Sequence, residues 1–135
     1  MMVFETIFWD TSGLLATLDQ DDDFHLPAIR AWEHMMHGNY LFVTTDYIRL
    51  ETWALVQRRL GSEAVETLYT TILPLCQIEI TANDGFDRVV GQWLLTRQRS
   101  LSLVDVTSFD CMRRLGLTKV FTYDSHFTEQ GFKAL

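Results

Sequence analysis

Four short apolar runs, separated by segments with helical periodicity, constrain the fold of this chain more than any other feature. The runs lie at residues 5–9, 40–43, 77–80 and 119–123. In the segments between them, apolar residues recur at the spacing of a helix rather than in alternation. Strands that alternate with helices in this way form a parallel sheet covered by helices on both faces. We therefore predict a three-layer α/β/α sandwich around a central, mainly parallel sheet of four or five strands.

Length and composition favour one compact domain. The chain has 135 residues, 47% of them hydrophobic, with two prolines and seven glycines, which excludes a disordered or low-complexity chain. We predict a single domain over residues 1–135. We find no apolar run long enough to span a membrane, and the acidic start lacks the basic region of a signal peptide. These features predict a cytoplasmic protein without a membrane partner.

The charge and the cysteines exclude two classes of site. Cys76 and Cys111 lack a close metal-binding spacing and lie in apolar patterns, so we interpret both as buried thiols rather than zinc ligands. The net charge of −7 argues against nonspecific binding to nucleic acid and fits a cation or a basic partner better.

Four acids stand where elements begin or end. Asp10 and Asp124 follow apolar strands, and Glu51 and Asp105 lie early in helical segments. The carboxyl ends of parallel strands meet at one edge of a sheet, which is also where such folds place functional sites. Four carboxylates at one edge would repel each other unless a divalent cation neutralised them. Oxygen ligands suit Mg²⁺ or Mn²⁺.

Each acid also has a structural alternative. Asp10 and Asp124 would serve as caps of the helices that follow them, Asp105 as an ordinary helix cap, and Glu51 as the partner of a nearby arginine. Asp110 lies five residues after Asp105, about 140° further round the helix, so we predict a surface position for it. For His126 we favour a structural hydrogen bond to a loop over contact with a substrate.

The sequence around these acids resembles the PIN-domain ribonucleases, especially toxins of VapBC-type toxin–antitoxin pairs. The resemblance rests on Asp10-Thr11-Ser12 after an apolar strand, on Glu51 after Thr44-Thr45, on LSLVDVTSF around Asp105, and on TYDSHF around Asp124. The closing Gly131-Phe132 is also similar to that family's ending. Because the four acids occur in the family's order and context, the resemblance implies that the family's metal-site positions are Asp10, Glu51, Asp105 and Asp124 in this chain.

The resemblance implies a Mg²⁺- or Mn²⁺-dependent endoribonuclease that a small antitoxin restrains and that forms a homodimer. Asp10 and Asp105 would be the main metal ligands, and Asp124 and Glu51 would contact the metal directly or through water. Thr11, Ser12 and Ser108 would hydrogen-bond the carboxylates or a phosphate. The alternative is a catalytically inactive PIN-like module that binds RNA or protein. A haloacid-dehalogenase-type phosphatase is disfavoured because Ser12 stands where its second acid is needed.

The net charge is a difficulty for a protein that must attract phosphate. Without the four proposed ligands the net charge would be −7 + 4 = −3, and bound cations would reverse the local potential. Arginines cluster in three pairs, which either line an RNA groove or pair with surface acids. They are Arg58-Arg59, Arg97 with Arg99, and Arg113-Arg114. We interpret the four tryptophans as core residues rather than base-stacking ones.

Overall fold

The structure is a computed structural model that describes residues 4–135. Residues 1–3, part of the predicted domain, lie outside the described residues. Strands and helices alternate along the chain as predicted: β1 (Glu5–Trp9), α1 (Thr11–Leu18), α2 (His25–His37), β2 (Tyr40–Thr45), α3 (Asp46–Leu60), α4 (Ser62–Thr67), β3 (Gln77–Glu79), α5 (Asn83–Thr96), α6 (Leu103–Leu115), β4 (Lys119–Phe121), α7 (Ser125–Glu129) and β5 (Lys133–Ala134).

All the strand pairs in this sheet are parallel, which confirms the predicted sheet. The spatial order is β3-β2-β1-β4-β5. The chain runs outward from β1 to β3 on one side and then crosses to the other side of β1 to form β4 and β5. The strand order therefore reverses between β1 and β4, and crevices at such reversal points are where open α/β sheets bind ligands.

Helices cover both faces of the sheet and give the three predicted layers. Successive side chains of a strand point to opposite faces. Ile7 and Trp9 accordingly pack in one core, which holds buried residues of α1, α2 and α4, and Phe8 packs in a second core with residues of α5, α6 and α7. Both cores flank β1, so its last three residues, Ile7 to Trp9, which lead to Asp10, are fully buried.

Three local features differ from what the sequence pattern predicts. The pattern favours Ser12 as the cap of α1 and Thr81 as the cap of α5, but Asp10 caps α1 and Thr81 donates its hydroxyl to Asp46. The pattern of residues 62–73 predicts one helix, but this helix breaks up after Thr67 into a π-helical turn (Leu68–Ile72) and a 3₁₀ turn (Leu73–Leu75). Pro74 has no N–H to continue a helix, which explains why the helical path ends there.

The predicted burial of the thiols is confirmed for Cys111, whereas Cys76 is only partly buried. Burial raises the pKa of each thiol to about 11, so neither is poised as a nucleophile. Within residues 4–135, no helix combines the length and apolar character needed to cross a membrane.

Candidate metal centre

Asp10 and Asp124 reach the same crevice because β1 and β4 are paired neighbours. Trp9 pairs with Phe121, and the Asp10 backbone N–H donates to the Phe121 carbonyl at 3.1 Å. Residues just beyond the two strands therefore lie side by side. Asp10 caps α1 and Asp124 caps α7, so both residues act as the helix caps that the structural alternative predicts.

Capping occupies only part of the Asp10 carboxylate. Its Oδ2 accepts hydrogen bonds from Ser12 Oγ at 2.7 Å, Thr122 Oγ1 at 2.8 Å and the Ser12 backbone N–H at 3.4 Å. Within residues 4–135 all its side-chain hydrogen bonds end on Oδ2, which leaves Oδ1 for a ligand. Asp10 is only 4% exposed, and its carboxylate is held by Ser12 from the start of α1 and by Thr122 from just beyond β4.

Asp105, Asp124 and His126 form a tight group opposite Asp10. One possible ligand atom from each lies within 4.8 Å of the others. His126 Nδ1 is 2.9 Å from Asp124 Oδ1 and 3.7 Å from Asp105 Oδ2. This nitrogen is buried and has no hydrogen bond of acceptable geometry in the described part of the chain.

Glu51 completes the set from α3. The Thr45 hydroxyl caps this helix at Ile48, and Thr52 shares a 2.9 Å hydrogen bond with Thr11, which ties α3 to the start of α1. None of the ion pairs found in residues 4–135 involves Glu51, so the arginine alternative is not supported. The four acids line one cavity of about 320 Å³, together with Thr11 and Ser12.

The carboxylates destabilise one another's charged forms. Burial, and then the charges of Asp105 and Asp124, raise the pKa of Asp10 from 3.8 to about 6, although its hydrogen bonds to Ser12 and Thr122 work the other way. Burial followed by Asp10 and Asp105 raises the pKa of Glu51. Burial followed by Asp124 raises the pKa of Asp105. Arg59 lines the same cavity, but none of the ion pairs found in residues 4–135 joins an arginine or lysine to these four carboxylates.

These residues fit a hard divalent cation. A buried carboxylate must be paired, hydrogen-bonded or bound to metal to offset its desolvation, and here one oxygen of Asp10 lacks such a partner. Carboxylate oxygens are the ligands that Mg²⁺ and Mn²⁺ prefer, and a cavity of this size leaves room for water on the ion.

Three predictions for neighbouring residues were wrong. Ser108 is fully buried and donates to the Val104 carbonyl at 3.1 Å, so it does not serve the carboxylates. Asp110 is buried rather than on the surface, and it pairs with Arg88 at 2.8 Å and Arg114 at 2.9 Å. His126 faces Asp105 and Asp124 instead of a loop.

Sequence analysis missed Thr122, which bonds to Asp10 and accepts the Asp124 backbone N–H at 3.0 Å. The signal was a hydroxyl at the end of an otherwise apolar run. The structure places members of two of the three arginine clusters. Arg59 lines the carboxylate cavity, whereas Arg114 pairs with Asp110 and Arg113 bonds Gln130 and lies over Phe132.

Comparisons with known proteins agree with this geometry. The family model of the PIN domain matches residues 7–133. The chain is 30% identical over 128 residues to proteins named 23S rRNA-specific endonuclease VapC20 from two Mycobacterium tuberculosis strains, covering 93% of this chain and 95% of each relative. It also superposes on the crystal structure of M. tuberculosis VapC20, described as a sarcin-ricin loop cleaving toxin. The TM-score is 0.82 at 29% identity, and the match covers 94% of this chain and 96% of the other.

Proposed function

Because this chain belongs to the PIN domain family, we propose that it is a divalent-metal-dependent endoribonuclease that acts as the toxin of a type II toxin–antitoxin pair. One observation carries the proposal. Four carboxylates from four separate elements of the chain, Asp10, Glu51, Asp105 and Asp124, converge in one cavity where the strand order reverses. Such a set has a clear use in binding a cation and no evident use in packing.

Asp10 and Asp105 are the main ligands in this proposal, and Asp124 and Glu51 contact the ion directly or through water. The ion is Mg²⁺ or Mn²⁺. When bound, it supplies a water of lowered pKa and a positive charge that stabilises the phosphate as it reacts.

The chain's own contribution is to hold these groups still. Ser12 and Thr122 fix Oδ2 of Asp10, and Thr122 also accepts the backbone N–H of Asp124. One hydroxyl therefore sets the spacing of two ligands from different elements. Partner residues of this kind typically change metal affinity or activity by about 10- to 100-fold when they are removed. Arg59, at the rim of the cavity, supplies a cation for a phosphate outside the metal site.

The substrate is RNA, by analogy with the VapC20 proteins, whose names specify 23S rRNA. A small antitoxin that covers the cavity would restrain the activity in the cytoplasm, and the toxin would act as a homodimer. The carboxylates of the cavity would repel an acidic segment of the antitoxin and attract a basic one, so we expect the segment that covers the cavity to carry basic side chains.

Cleavage of purified ribosomal RNA tests the proposal. We expect cleavage with Mg²⁺ or Mn²⁺, loss of cleavage with a chelator, and a fall of at least about 100-fold for Asp10→Asn and Asp105→Asn, which remove charges from the cation site. Asp87→Asn is the matched control because Asp87 is exposed on α5, outside the cavity.

Wild-type activity in the two cavity variants would refute the proposed site. Absence of cleavage by the wild-type protein, with metal binding retained, would favour the alternative of a catalytically inactive module.

A further inference from the structure

We propose that Phe24 and Tyr123 form a nucleobase-binding subsite, here called the aromatic platform, which stacks an unpaired base of the RNA beside the scissile phosphate. The inference deepens the proposed function and rests on it. The sequence pattern alone does not single out either residue.

The two rings are stacked at the wall of the carboxylate cavity. Their centroids are 4.8 Å apart and their planes differ by 9°. Both residues line the same cavity as Asp10, Asp105 and Asp124. A base on the platform would therefore border the same cavity as a phosphate held at the metal site.

Tyr123 is held by the same residues that position the carboxylates. Its backbone N–H donates to Ser12 Oγ at 2.9 Å, and that hydroxyl in turn donates to Asp10. Its ring also packs edge-on against the buried Phe121, with centroids 6.0 Å apart and planes at 74°. The inner ring of the platform thus has a fixed position relative to the cation site.

Phe24 is ordered although much of it faces solvent. Its backbone N–H donates to Asp22 Oδ1 at 2.9 Å, and its carbonyl accepts the Ala28 N–H at 2.9 Å in the first turn of α2. The side chain is 48% exposed. Tyr123 stacks on one face of the ring, and the solvent-facing part of the ring offers surface on which a further flat group can stack.

The chemistry of the cavity selects a nucleotide as that group. A purely apolar ligand would bury the carboxylates further without compensating them. A nucleotide offers a flat base to Phe24 and a phosphate to the cation, and Arg59 stands on the same cavity to take a second phosphate. A base inside a duplex has both faces covered, so the platform requires an unpaired nucleotide, as in loops and single strands.

Binding of two fluorescein-labelled oligomers of about ten nucleotides tests the platform directly. One is oligoadenylate and the other has the same ribose-phosphate backbone without bases. Fluorescence anisotropy is measured with Ca²⁺ in place of Mg²⁺. Because base–aromatic stacking is worth about 1–3 kcal/mol, Phe24→Ala should weaken oligoadenylate binding about 5- to 150-fold and leave binding of the abasic oligomer nearly unchanged.

Two further variants define the control. Phe24→Trp keeps a flat ring and should retain oligoadenylate binding. Phe4→Ala removes another phenylalanine of similar exposure, 43%, before the start of β1 at the opposite edge of the sheet, and should change neither affinity.

The platform is overturned if Phe24→Ala weakens both oligomers equally or neither, or if the wild-type protein does not prefer oligoadenylate over the abasic oligomer. Loss of antitoxin capture by Phe24→Ala with unchanged oligoadenylate binding would assign the platform to a protein and overturn the RNA assignment. Cleavage of ribosomal RNA by the wild-type protein and by Asp10→Asn is measured separately. It tests the proposed function independently of the result for the aromatic platform.

Discussion

Two aspartates of this chain are buried to a similar degree, but their neighbouring charges have opposite signs. Asp10 is 4% exposed and Asp110 is 8% exposed. Burial raises the pKa of Asp10, and its nearest charges are acids. Burial would also raise the pKa of Asp110, but the hydrogen bonds and charges of Arg88 and Arg114 outweigh it and lower that pKa. Asp110 is thus neutralised inside the chain, whereas Asp10 requires a cation from solution.

Asp110→Asn should therefore reduce stability without removing metal binding. The variant leaves two arginines without their carboxylate, and because both guanidinium groups are about half exposed, we expect a loss of about 1–2 kcal/mol. The lowered pKa of Asp110 also predicts how stability depends on pH. The ionised Asp110 carboxylate stabilises the fold above its ordinary pKa of 3.8, and this stabilisation is lost as the pH falls through the lower pKa of the folded state. Urea unfolding at pH 7 and near pH 3 measures both effects, and an Asp110→Asn protein of wild-type stability that no longer responds to Mn²⁺ would contradict this assignment.

At the residue scale, the sequence predicts those site residues whose position follows from an element boundary. Asp10 and Asp124 are examples, because any residue that ends a parallel strand reaches the same edge. Asp110 was misassigned because its partner Arg88 is 22 residues away on another helix, a contact that periodicity does not encode. Phe24 was missed for the same reason, since its partner Tyr123 lies near the other end of the chain.

At the element scale, the site depends on how closely α1 approaches β4. A Cβ atom at Gly13 would lie 2.6 Å from the Phe121 carbonyl oxygen and 2.8 Å from its ring. A side chain there would push the start of α1 away from β4. The hydrogen bonds from Ser12 and Thr122 to Asp10 span this contact, so they require a glycine at position 13.

Gly13→Ala should destabilise the fold by about 1–3 kcal/mol, because an added carbon in a tight contact forces the backbone to shift. It should also weaken metal binding by separating Asp10 from Thr122. Gly91→Ala is the matched control, since a Cβ in that part of α5 has nothing within 4 Å and alanine favours a helix by about 1 kcal/mol. Urea unfolding of both variants checks the difference, and equal effects of the two substitutions would refute the packing account.

Most helices were predictable because they are long and regular in pattern, and β1 to β4 were predictable because each is a short apolar run between helical segments. The exceptions have local causes. β5 has two residues and no pattern of its own, and it forms because Lys133 and Leu135 donate to carbonyls of Thr118 and Val120. The sequence does not decide between Asp10 and Ser12 as the cap of α1, because aspartate and serine are about equally good caps; in the structure Asp10 caps the helix.

At the scale of the whole molecule, the net charge of −7 is partly concentrated in the cavity. The metal-free protein should lose stability as the pH rises from about 4 to about 6. Asp10 has an ordinary pKa of 3.8 when unfolded and about 6 when folded, so the folded state holds more protons in this range. Ionisation of Asp10 alone lowers the free energy of unfolding at pH 7 by about 3 kcal/mol. The free energy of unfolding measured in chelator across this range gives the slope, and Asp10→Asn should flatten it. A stability that rises over the same range would contradict the destabilised cluster.

The most direct test of the central claim, that these carboxylates form a cation site, is calorimetric titration of Mn²⁺ into the folded protein at pH 7. We expect saturable binding in the wild-type protein and in Asp110→Asn, and at least about 100-fold weaker binding in Asp10→Asn and Asp105→Asn. Affinity should fall below pH 6, because protons compete for the same oxygens. Equal binding by all four proteins, or absence of binding in the folded wild-type protein, would contradict the account.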